Sequence, residues 1–137
     1  MKDDAAIDPA LLALDWLGQT ADWPRTAAAL YDAAVCWRAP ARGLLLQGRD
    51  AALAQLRADA RSFSGADHVV LRRMAAGERL IDESTLTFTC PAEGIAGLEL
   101  AAGERVELNR RRLFTFSGGL IVDELHLETW TVLRHTR

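Results

Sequence analysis

The stretch RVELNRRRLFTFSGGLIVDELHLETWTVL, residues 105–133, decides the fold. Val106, Leu108, Phe114 and Phe116 fall on one side of a period of two. That period marks a strand, because successive side chains leave a pleated backbone on opposite faces. Ser117-Gly118-Gly119 has turn chemistry, and apolar alternation resumes from Leu120 to Leu133. The stretch therefore predicts two long antiparallel strands, 105–116 and 120–133, joined by a hairpin turn.

Upstream, Arg79–Thr89 is rich in β-branched residues and follows a tight turn at Gly77-Glu78, with another strand expected over His68–Ala75. Pro91–Gly97 reads as a loop. Before residue 65 the period changes to 3.6: Leu53, Leu56, Ala60 and Phe63 make one buried helix face, closed by Ser64-Gly65. Val35-Cys36-Trp37 is a short strand ended by Pro40, and 41–47 a loop holding Leu44, Leu45 and Leu46. Asp22-Trp23-Pro24 opens a helix that reaches about Tyr31. Asp8-Pro9 opens an earlier one, striped by Leu11, Leu14 and Leu17 and ended by Gly18. Helices first and strands after predict an α+β fold: three N-terminal helices packed in a strongly bent antiparallel sheet, a cone-shaped α+β barrel.

The 137 residues fit a single domain, 1–137, with residues 1–7 expected to be disordered or loosely packed. A net charge of −3 with one lysine argues against nucleic acid as a partner. No apolar run approaches bilayer length and residues 1–8 lack a signal-peptide pattern, so a cytoplasmic location is expected. Cys36 and Cys90 are expected to be free thiols. The apolar outer face expected for the sheet implies a homodimer through it.

Four segments together resemble the nuclear-transport-factor-2-like superfamily, in its SnoaL-like, polyketide-cyclase-like branch. They are Asp22-Trp23-Pro24 through Trp37-Arg38-Ala39-Pro40, Gly48-Arg49-Asp50-Ala51, Gly103-Glu104-Arg105-Val106-Glu107-Leu108, and Phe114-Thr115-Phe116 through Gly119-Leu120-Ile121. The resemblance implies a cup holding a small-molecule ligand. It does not choose among isomerases, cyclases, dehydratases, hydrolases and non-catalytic modules. It does exclude ketosteroid isomerase. That family's first-helix Tyr is missing, Arg38-Ala39-Pro40 stands where its strand Asp would precede Pro, and its third-strand Asp falls near Arg112.

The candidate site comes from polar residues in apolar strand registers. Arg110 and Arg112 share parity with Leu108 and Phe114, so both guanidinium groups are expected to point inward and to need an anionic partner. Asp82 and Ser84 share parity with Leu80 and Leu86, and Asp82 is expected to pair with Arg110 or Arg112 or to move a proton. His126 and Glu128 share a face and form a candidate proton shuttle. Yet the opposite register, with Ile121, Leu125 and Leu127, is more apolar. It sends His126 and Glu128 to the outer face unless the strand bulges. Asp82, Arg112 and His126 are thus the catalytic candidates. Tyr31, Trp37, Ser84, Arg110, Phe114 and Glu128 are the ligand-binding ones. His68 and His135 read as solvated, and no metal-ligand spacing or cofactor motif is present. The function expected is a small-molecule-binding domain, with a cofactor-free lyase, isomerase, cyclase or hydrolase reaction as its catalytic option. The alternative is a binding or oligomerisation module that uses the outer sheet face.

Overall fold

The computed structural model describes residues 23–133. The expected first helix, the expectation for residues 1–7 and His135 lie outside them. Helix α1 (Trp23–Leu30) leads directly into strand β1 (Tyr31–Ala39). A single 3-10 turn (Pro40–Arg42) and strand β2 (Leu44–Gln47) follow, then helix α2 (Arg49–Ser62). Four long strands complete the order: β3 (Asp67–Ala76), β4 (Arg79–Thr89), β5 (Arg105–Ser117) and β6 (Leu120–Leu133).

The strands form one six-stranded sheet in the order β2-β1-β6-β5-β4-β3. The fold is α+β, but the sheet is mixed rather than antiparallel, because β1 pairs parallel to β6. The intervening helix and hairpins return the chain to β1 from the far side, which permits that direction. Two further expectations are corrected. Tyr31 opens β1 instead of closing a helix, and the leucine triplet is a strand. Gly43, left-handed at φ 69, reverses the chain after Pro40, so that Leu44 lies opposite Ala39 and Leu46 opposite Trp37. Leu44 and Leu46 are then half-buried while Leu45 is exposed, a strand alternation too short to register as a period.

The core has two apolar clusters. One joins α1 and α2 to β1 and to Leu80, Phe114, Phe116 and Ile121. The other gathers Leu86, Phe88, Val106 and Leu108 with Cys90 and Ile95 of the β4–β5 loop, flanked by Phe63 and Trp130. Along β4 and β5 the inward side chains are thus apolar at both ends of the strand, and the residues between the clusters are polar.

The β4–β5 loop is seated by Gly97. Its backbone has φ +89, and a Cβ there would collide with the carbonyl oxygen of Arg42. Gly94, in the same loop at φ +76, faces open space. Gly94→Ala should therefore cost only the left-handed backbone strain, about 1 kcal/mol. Gly97→Ala should cost at least twice that, because the obstacle is main chain and cannot swing away. Urea denaturation midpoints of the two variants measure the difference, and equal midpoints would show that the loop does not rest on Arg42.

Candidate functional site

One extra residue in β6 sets the site. Phe116 lies opposite Ile121, but Thr115 lies opposite Asp123, so Val122 bulges out of the ladder. A one-residue insertion switches every later side chain to the other face. Ile121 points inward, and after the bulge so do Glu124, His126, Glu128 and Trp130. An unbulged register would have sent His126 and Glu128 outward; the bulge is the exception that turns them inward.

The inward polar residues of three neighbouring strands now form a continuous belt between the apolar clusters. β4 contributes Asp82 and Ser84, β5 Arg112 and Arg110, and β6 His126 and Glu128, paired as Asp82–Arg112–His126 and Ser84–Arg110–Glu128 across the sheet. Arg110 and Arg112 are buried, as their parity with Leu108 and Phe114 requires, while Arg111 is exposed and bonds Glu83.

Charges in the belt are held by specific partners, as buried ions must be. Arg112 donates through Nε and Nη2 to Asp82 Oδ2 at 3.0 and 2.6 Å, and Arg73 donates to Asp82 Oδ1 at 2.6 Å. Burial alone would raise the Asp82 carboxyl, but the Arg112 charge and the bonds from both arginines hold it below its usual range. Of the two partners expected for Asp82, the structure selects Arg112 and adds Arg73. The Arg112 guanidinium also lies 5.6 Å from the Phe114 ring centre.

A second chain of groups starts at Tyr31. Its hydroxyl donates to Glu124 Oε1 at 2.6 Å, and Glu124 Oε2 meets His126 Nε2 at 2.5 Å. Burial and the Glu124 charge push the Tyr31 hydroxyl well above its ordinary value. Against its burial, the bonds from His126 and Tyr31 hold Glu124 below the usual carboxylate range. Glu124 therefore accepts from both neighbours, which fixes the imidazole proton on Nε2. Nδ1 has no hydrogen-bond partner among the described residues and lies 3.6 Å from Glu128 Oε2. The His126 ring is itself buried against Trp37, with centroids 4.4 Å apart.

Arg42 closes the belt. It donates to Asp59 Oδ1 at 2.8 Å and, through Nη2 and Nε, to Glu128 at 2.7 and 3.0 Å. Its guanidinium lies 5.9 and 5.6 Å from the ring centres of Trp37 and Trp130. Glu128 also accepts from Trp130 Nε1 at 3.1 Å, and against its burial the neighbouring His126 and Arg42 hold it down to about 2.

Every site residue expected from the sequence is thus on the inner face: Asp82, Arg112, His126, Tyr31, Trp37, Ser84, Arg110, Phe114 and Glu128. Four further members were not expected, among them Arg73, which reaches Asp82 from β3. Glu124 was hidden by the bulge, Arg42 by its place in what reads as a loop, and Asp59 by lying on the apolar face of α2. Asp59 did carry a signal, since it follows Leu56 by three residues. A recess of about 390 Å³ borders both registers: outward Leu71, Arg111 and Leu127, and Ser84, Arg110 and His126 of the belt. Among the described residues no group of three or more His, Cys, Asp or Glu side chains is placed to hold a metal ion. No described helix is long and apolar enough to cross a membrane.

Comparisons with known proteins agree with this architecture. The model of the SnoaL-like domain matches residues 17–124, and the chain belongs to that family. A proposed SnoaL-like polyketide cyclase from Jannaschia sp. CCS1 superimposes with a TM-score of 0.77 at 16% identity, over 92% of this chain and 86% of that one. An LEH-like epoxide hydrolase from M. tuberculosis gives 0.65 at 16% identity, over 94% and 86%. A nuclear-transport-factor-2-like protein of unknown function from Burkholderia xenovorans LB400 gives 0.62 at 18%, over 100% and 91%. At these identities the likeness is one of fold. No curated protein sequence matches the chain.

Replacing Arg42 with Met should leave Asp59 and Glu128 buried without their cation, at a cost of about 3–5 kcal/mol near pH 7. The pH dependence follows from sign. Glu128 has a folded value of about 2, below its ordinary 4.5, so its contribution is present above pH 4.5 and is lost as pH falls toward 2. In Arg42→Met the stranded carboxylates take up protons more readily when folded, so acidification should relieve the variant. Urea unfolding at pH 7 and pH 4 should show the gap to wild type narrowing; a constant gap would mean that Arg42 acts through packing alone.

Proposed function

We propose that the cup of this SnoaL-like domain binds a small organic molecule and moves a proton on it without a cofactor, in a lyase, isomerase, cyclase or hydrolase reaction. The observation that carries this reading is the polar belt between two apolar clusters. A purely structural core would be expected to fill those positions with aliphatic side chains, because buried ion networks are weak sources of stability.

In this reading His126 is the proton-transfer residue. Glu124, steadied by Tyr31, orients the ring through Nε2, and Nδ1 is left to take or give a proton. Asp82, kept ionised by Arg73 and Arg112, is a weak base, so its part is to hold Arg112 in place and to accept a hydrogen bond from a water or substrate hydroxyl. Arg112 steadies negative charge that develops on a substrate oxygen. Trp37 and Phe114 supply apolar wall, while Ser84, Arg110 and Glu128 position the ligand's polar end. Cys36 and Cys90 are both free, which agrees with a cytoplasmic setting.

A second reading has its own observation. Leu71 and Leu127 are exposed beside the recess, and Val69 and Met74 on β3 are exposed as well. That favours a homodimer through the sheet, in which the inner network is architectural. Sedimentation of wild type against Leu127→Arg distinguishes the two: dimer loss without any effect on chemistry leaves the first reading standing.

The chemistry is tested by following α-proton exchange of cyclohexanone and 2-tetralone in D₂O by NMR. Wild type should accelerate exchange of at least one probe. His126→Gln should lower that rate by about 10²–10⁴-fold, the range of general acid–base catalysis, and Glu124→Gln by less. No acceleration by wild type, or full activity in His126→Gln, would remove the proposed role.

A further inference from the structure

The belt contains four arginines, and one of them stands apart. Arg42 is bonded to Asp59 and Glu128, and Arg73 and Arg112 are bonded to Asp82. Arg110 is 7% exposed, and its side chain has no hydrogen bond or ion pair among the described residues. Register makes this informative. The residue directly opposite Arg110 on β6 is Glu128, whose carboxylate is turned away to Arg42 and Trp130. The residue opposite on β4 is Ser84, and its hydroxyl is also buried without a partner. Paired residues on one face of antiparallel strands have Cβ atoms about 4.5–5.5 Å apart, so Arg110 and Ser84, both without a hydrogen-bond partner at a buried polar atom, are cross-strand neighbours. The Phe63 ring caps the guanidinium at 5.8 Å.

We propose that Arg110 and Ser84 form a subsite for the carboxylate of a small organic acid, with Arg110 giving a forked pair of hydrogen bonds and Ser84 a third.

A carboxylate fits because the guanidinium fork matches its two oxygens in one plane. It also supplies a direct counter-ion, since Asp59, Asp82 and Glu128 act on Arg110 only through longer-range attraction. Burial and the nearby Arg112 charge bring Arg110 down to about 9, as expected for a cation without a direct counter-ion. Phe63, with Phe88 and Trp130 beyond it in mutual ring contact, offers an apolar surface for the body of such an acid. The inference deepens the reading of the cup as a ligand site and rests on it, but it concerns recognition and not proton transfer.

The test is titration with acetate, butyrate and benzoate, each against its neutral amide, at constant ionic strength. Binding is followed at the Arg110 Nε–H resonance, identified as the signal missing from Arg110→Lys. At least one acid should bind saturably, with a Kd at least tenfold below that of its amide. Arg110→Met should abolish this preference, and Arg110→Lys, which keeps the charge but not the fork, should weaken the acid at least fivefold. Ser84→Ala should weaken it by a smaller factor. The subsite is overturned if no acid outperforms its amide, or if either Arg110 variant binds the acid as wild type does. Failure here with ketone exchange intact removes only the subsite. Acid selectivity without exchange supports the subsite and argues against proton transfer.

Discussion

The inner face depends on one residue that the sheet does not pair. Val122 is extra with respect to β5. Because of it, the inward positions of β6 shift from the odd-numbered register of Ile121 to the even-numbered one of Glu124, His126 and Glu128. Without that insertion Leu125 and Leu127 would meet Arg110 and Arg112, and the two guanidinium groups would face aliphatic side chains. A buried cation has no tolerable state in such surroundings. The bulge therefore joins β6's acids and imidazole to β5's cations, and the rest of the belt is built on that match.

The belt's electrostatics are close to self-contained. Asp82 is shared by Arg73 and Arg112, Glu128 and Asp59 by Arg42, and Glu124 by Tyr31 and His126. Each carboxylate with a shifted titration is held below its ordinary value despite burial, so the network stays ionised instead of neutralising itself. Such a network fixes side-chain geometry more than it adds stability. The stability comes from the apolar clusters at either end, which hold β4, β5 and β6 in register and bring the polar residues together.

Much of this was legible in the chain. The period of two in β4 and β5 placed Asp82, Ser84, Arg110 and Arg112 on the inner face, because those strands run without a bulge against each other. The family followed from short motifs in order. Other features were not legible for physical reasons. A bulge at Val122 leaves no local mark, since Leu-Ile-Val is as good a strand continued as interrupted. The pairing of β1 with β6, across some eighty-five residues as in Arg38 to Asp123, is a matter of topology and not of pattern. Arg42 sits in a turn whose sequence speaks only of Pro40 and Gly43, and its burial is created by Trp37, Trp130 and α2, which arrive from elsewhere.

One strand remains in an unusual position. β3 closes the far edge of the sheet and is exposed along nearly its whole length, with Val69, Val70 and Leu71 uncovered in succession. A free edge of this kind offers unpaired main-chain groups to any other strand, the route by which folded chains recruit one another into fibres. The same strand carries its own deterrent. Its pairing with β4 slips at Leu71, which breaks the edge into two short flat runs, and Arg72 and Arg73 follow at once with fixed charge. Shelf life at high concentration thus depends on a kink and two arginines at the sheet's margin, one of which, Arg73, also reaches Asp82 in the belt.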